Sequence, residues 1–104
     1  MTVYGYMKRE VPFSTAEQLK IMGDYNCQEI FIEKYESSIQ DELEALINIL
    51  RASDVVVIVS LSALGEEVSD IIHIFERLRE KRVQIVSWTS HLHLNYYRRL
   101  TGLL

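Results

Sequence analysis

The chain has 104 residues, 48% of them hydrophobic and 25% charged, which is enough for one soluble domain with a single modest core. Eleven Lys and Arg against fifteen Asp and Glu leave a net charge of −4, so a basic domain that wraps nucleic acid on its own is excluded. One cysteine, Cys27, forms no internal disulfide and fits a reducing compartment. No stretch approaches the ~20 apolar residues of a membrane span, and MTVYGYMKRE has no apolar signal core, so a cytoplasmic location is expected.

In chain order, VYGYM (3–7) alternates and is rich in β-formers, which predicts a first strand. Ser14 and Glu17 form a capping-box pattern that opens a helix through about Tyr25. EIFIEK (29–34) sets Ile30 and Ile32 against Phe31 and Glu33 and reads as a second strand. From about Ile39 to Arg51, Leu43, Leu46, Ile47 and Leu50 recur at helical spacing, with Asp41, Glu42 and Glu44 near the positive end. In DVVVIVS (54–60) every residue from Val55 to Val59 is apolar, as expected of a central strand covered on both faces. A further helix is predicted from about Gly65 to Lys81, burying Val68, Ile71, Ile72, Phe75 and Leu78. VQIVSWT (83–89) then supplies a fourth strand. HLHLNYYRRLTGLL predicts a short last helix. Strands alternating with helices in this way imply right-handed crossovers: an α/β domain of three layers, α/β/α, around a mostly parallel sheet of about four strands.

Between the third strand and the following helix lies SLSALGEE (60–67), at the kind of turn where α/β proteins place ligands. It holds small residues and two glutamates. Glu66 and Glu67 are accounted for as helix-start acids. His73 reads as a boundary residue of the helix. His91 and His93 have two-ligand spacing but no third ligand nearby, so no metal is expected. Only four glycines occur, none clustered, so no phosphate loop and no cofactor are expected. Tyr96, Tyr97, Arg98 and Arg99 are of types enriched in hot spots, and with Leu100 are read either as an ordinary terminal helix or as a protein interface.

The order of elements and several local sequences resemble the catalytic domain of serine recombinases, the resolvase/invertase family. VYGYMKR is similar to that family's Y-G-Y-x-R-V-S, and EIFIEK to its I-F-x-D-K. SLSALGEE is similar to K-L-D-R-L-G-R, keeping Leu61, Leu64 and Gly65. VSDIIHIFERLREKRVQIVSW resembles D-L-L-x-L-V-E-x-L-x-x-x-G-V-x-F-x-S. The resemblance implies a resolvase-like domain over residues 1–104, without the long dimerisation helix and helix-turn-helix DNA-binding domain that follow in full-length relatives. It also implies DNA strand exchange, in which a serine attacks a phosphodiester and arginines hold the phosphate oxygens.

Transferred position by position, most of that chemistry is replaced. Tyr6 is kept. The family's arginine in the first strand falls on Lys8, and its nucleophilic serine on Glu10. Its lysine falls on Ser60, its aspartate on Ser62, two arginines on Ala63 and Glu66, and a further arginine near Gln40. The expectation is a non-catalytic regulatory or interaction module that pairs with itself or with a recombinase-type protein. Two alternatives stand beside it. One is an active recombinase fragment using Ser14 as a relocated nucleophile, although Glu17 marks Ser14 as a helix cap. The other is a binding domain unrelated to DNA.

Overall fold

A computed structural model describes residues 1–10, 13–34 and 40–89. Strands β1 (Val3–Lys8), β2 (Glu29–Glu33), β3 (Val55–Ile58) and β4 (Gln84–Ser87) form one sheet in the order β2-β1-β3-β4. Every neighbouring pair is parallel. Helix α1 (Thr15–Asp24) connects β1 to β2, α2 (Asp41–Ile49) lies between β2 and β3, and α3 (Val68–Glu80) between β3 and β4. The chain moves outward from β1 to β2, then returns past β1 to β3. Right-handed crossovers on either side of that reversal place α1 on one face and α2 with α3 on the other.

Burial follows this layering. Tyr6, Val56 and Ile58 point to the α2/α3 face, where they join Leu43, Leu46, Ile47, Ile71, Ile74, Phe75 and Leu78. Met7, Val57 and Val59 point the other way, against Ile21 and Met22 of α1. β3 is therefore covered on both sides, which is why its sequence is apolar without alternation. Gly5 lets α1 approach closely: a Cβ there would lie 2.6 Å from Sδ of Met22.

The predicted capping box is present. Ser14 Oγ accepts from the Glu17 N–H at 3.2 Å and donates to the Glu17 carboxylate at 3.0 Å. At its other end α1 closes with Asn26 in the left-handed region (φ 58°), and the Cys27 N–H reaches the Met22 carbonyl at 3.2 Å. α3 closes in the same way with Arg82 at φ 60°: the Val83 N–H reaches the Leu78 carbonyl at 3.1 Å and the Arg82 N–H reaches that of Arg79 at 2.9 Å. That backbone conformation costs a side-chain-bearing residue roughly 1–2 kcal/mol.

Two expectations need correction. α3 begins at Val68 instead of Gly65, because residues Leu61–Leu64 close into a short 3-10 turn and the chain is extended at Glu67 before the helix starts. Val68 is consequently the first helical residue and is 46% exposed, while Ile74 takes its place in the buried stripe and Ile72 is only half-buried. The proposed last helix lies outside the described residues.

Candidate functional site

The strand order reverses between β1 and β3, and their carboxyl ends are the crevice position at which open α/β sheets accept ligands. The 3-10 turn forms one side of it. Leu61, Ala63 and Leu64 anchor the turn in the core, while the hydroxyls of Ser60 and Ser62 hydrogen-bond to each other at its surface. Gln40, just before α2, donates from Nε2 to the carbonyls of Leu64 at 3.3 Å and Ala63 at 3.5 Å, tying the start of α2 to this turn.

Beneath Gln40 lies a buried polar group. Glu33, at the end of β2, is 2% exposed. Its carboxylate accepts the Tyr6 hydroxyl at 2.7 Å, the Leu43 N–H at 3.0 Å and the Glu42 N–H at 3.0 Å. The last two are unpaired donors at the head of α2, which Gln40 at the N-cap does not satisfy with its own side chain. Glu33 thus caps α2 from another element. Burial, and then the neighbouring Glu33, push the Tyr6 hydroxyl well above the usual phenol range, so Tyr6 stays a neutral donor.

The β1–α1 turn carries the other site positions. Lys8 is half-buried at the end of β1, and its carbonyl accepts from Gln18 Nε2 at 2.8 Å. Gln18, 1% exposed, also reaches the Phe13 carbonyl at 2.9 Å. Glu10 adopts φ 58°, and its carboxylate accepts the Thr15 N–H at 2.6 Å while its own N–H donates to Thr15 Oγ1 at 3.3 Å. These bonds from Thr15 hold the Glu10 carboxyl below its ordinary range. Ser14 is engaged as the α1 cap.

Helices α1 and α2 therefore start with internal carboxylates on their N–H groups, Glu10 on one and Glu33 on the other. Helix starts of this kind are natural phosphate sites. Both are already filled. Glu66 and Glu67 are exposed ahead of α3, so no cation enters from that side at either position.

The structure thus gathers Tyr6, Gln40 and the Ser60–Ala63 turn around the crevice, and sets Lys8, Glu10 and Ser14 on the adjoining β1–α1 turn. His73 stands exposed on α3. Cys27 sits half-buried beside Met22, and burial pushes its thiol up. His91, His93, Tyr96, Tyr97, Arg98, Arg99 and Leu100 lie outside the described residues. Glu33 is the site residue that sequence reasoning passed over. Two signals were available: the acid of I-F-x-D-K, which falls on Glu33, and Gln40, a poor capping residue at a helix start, which implied a cap from elsewhere.

Among protein-family models, that for the resolvase N-terminal domain matches residues 9–101. No curated protein matches the chain. The match spans β2, β3, β4 and all three helices, and the parallel sheet is of the kind that the resemblance implied. The chain belongs to the family of resolvase N-terminal domains, the catalytic domain of the serine recombinases.

Proposed function

We propose that this domain is a catalytically inactive member of its family, working as a regulatory or protein-interaction module in a DNA-recombination setting. The observation that carries the reading is Glu10: the position where the resemblance puts the nucleophile holds a carboxylate fixed on the start of α1, 2.6 Å from the Thr15 nitrogen. A carboxylate there repels a phosphodiester and fills the dipole that would attract it. Gln40, Ala63 and Glu66 stand where arginines would hold the phosphate oxygens. Loss of a single transition-state donor costs a factor of about 10² to 10³, and here several go together with the nucleophile. The alternative nucleophile, Ser14, spends its hydroxyl on Glu17 in both directions.

What remains is a folded scaffold, and the partner it fits is a second copy or an intact recombinase-type protein with the same architecture. The test is to titrate the chain into strand exchange by an intact serine recombinase. The reading expects a change in the extent of exchange and no strand cleavage by the chain alone. Cleavage by the chain alone would favour the Ser14 enzyme, and indifference of the recombinase at every ratio would favour a binding domain unrelated to DNA.

A further inference from the structure

The two faces of the sheet are covered unequally. Neighbouring strands stand about 4.8 Å apart, so four strands span about 15 Å, and a helix about 10 Å in diameter covers roughly two of them. The face that carries Tyr6, Val56 and Ile58 has two helices, α2 and α3. Among the described residues, the face that carries Met7, Val57 and Val59 has one, the ten-residue α1. That face is one helix short.

The gap shows along β4. Val86 belongs to the α1 side and is half-buried, as is Val55 on the neighbouring strand. Trp88 points the same way: Phe13, packed against the α1-side core, meets its ring edge-on with centroids 5.6 Å apart. Trp88 is nevertheless 47% exposed. Apolar surface left in water forgoes about 25 cal/mol per Å², and an indole is the largest such group a side chain offers. On the other flank Ile30 and Ile32 of β2 are half-buried as well, without a comparably exposed ring.

The sequence that follows Trp88 fits this gap. Residues 90–104 leave β4 at the end where Trp88 stands. Read at helical spacing from Leu94, they put Leu94, Tyr96, Tyr97, Leu100, Leu103 and Leu104 on one half of the circumference. Asn95, Arg98, Arg99 and Gly102 fall on the other half. An apolar stripe that wide is what a helix packed on a sheet requires.

Length and tethering agree. A helix over 94–104 is about 16 Å long, against about 13 Å for the strand Gln84–Ser87 beneath it. Residues 90–93 suffice for the reversal, since connections of about two to six residues are usual. A segment tethered at Thr89 also has an effective concentration in the millimolar range, so a helix from another molecule competes at a disadvantage.

We propose that residues 94–104 form a fourth helix that runs back over the β4 half of the α1 face and covers Val86 and Trp88. Tyr96 and Tyr97 are then spent within the chain, Arg98 and Arg99 face solvent, and a protein partner uses another surface. The inference stands apart from the catalytic reading and holds equally for an active member of the family.

Hydrogen exchange on the whole, unaltered chain tests it first. The amides of residues 98–104 should exchange at least about tenfold more slowly than in a free peptide of the same sequence, tenfold corresponding to ~1.4 kcal/mol of local stability. Trp88, the only tryptophan, reports on the helix above it. Leu100→Ala should shift its emission to longer wavelength and raise its quenching by acrylamide, whereas Arg98→Gln with Arg99→Gln should change neither. Both readings should be independent of protein concentration. Exchange at the free-peptide rate, a result that needs no variant to fold, would overturn the proposal. So would equal quenching in Leu100→Ala and the parent, or protection that grows with concentration alongside a dimer mass, which would give this face to a second copy.

Discussion

The Tyr6 hydroxyl donates a 2.7 Å hydrogen bond to Glu33, and the same carboxylate holds the first free N–H groups of α2. One buried acid thus joins β1, β2 and α2 directly beneath the crevice. The I-F-x-D-K strand that EIFIEK resembles also carries an acid at this position, so Glu33 belongs to the retained scaffold. Here its donors are a phenol and two amides.

This arrangement makes a stability prediction. Removing a donor to a buried charged acceptor costs about 1.5–3 kcal/mol, so Tyr6→Phe should lower stability by about 2 kcal/mol. Glu33→Ala should cost about 3 kcal/mol, because it strips the cap from α2 and leaves buried donors unpaired. The double variant should cost less than the sum, with a coupling of about 1–2 kcal/mol in denaturant unfolding. Additive losses would mean that the two groups do not work as a unit.

Ser14 distinguishes a cap from a nucleophile. As the α1 N-cap, its replacement by Ala should cost about 1 kcal/mol of stability. It should change no DNA-directed property, and Ser14→Asp should restore the loss because aspartate also caps well. Restoration by aspartate is incompatible with a role as attacking hydroxyl.

Gly5 sets the distance between α1 and the sheet. A Cβ would meet Met22 Sδ at 2.6 Å and Cys27 Sγ at 3.3 Å, and Met22 is fully buried. Gly5→Ala should therefore cost about 1–3 kcal/mol through overpacking. Combining it with Met22→Ala should recover part of that loss, read as a higher unfolding midpoint than Met22→Ala predicts by addition.

Asp54 gives the pH dependence. Its carboxylate accepts from the backbone of Arg51 and Thr2, and these bonds lower its pKa in the folded chain. A depressed folded pKa contributes stability above the unfolded value of about 3.9, and that contribution is lost as the pH falls below it toward the folded value. Stability should decline as the pH falls below about 4, and Asp54→Asn should flatten this decline while lowering stability at neutral pH. An unchanged acid limb in the variant would assign the effect to other carboxyls.

Much of the fold was legible because it rests on periodicity. The unbroken apolar run from Val55 to Val59 identified β3 as central, and the Ser14–Glu17 pair located the start of α1. The α3 boundary was less legible, since SALG closes into a 3-10 turn whose apolar residues mimic the first turn of a helix. The crevice residues were found through family resemblance, which fixes positions but not partners. Glu33 escaped because alternation along β2 says which face it takes, whereas the helix end it caps is chosen by tertiary packing. Glu10 was visible as a replaced serine, but its bond to Thr15 depends on a left-handed backbone that no pattern announced.

The most direct measurement of catalytic inactivity is a search for the covalent intermediate. The chain is incubated with supercoiled DNA carrying recombination sites, denatured rapidly, and the protein is examined by mass spectrometry after nuclease digestion. Unmodified protein at every serine, with no nicked DNA above the buffer control, is the predicted result. A nucleotide adduct on Ser14 that disappears in Ser14→Ala would contradict it.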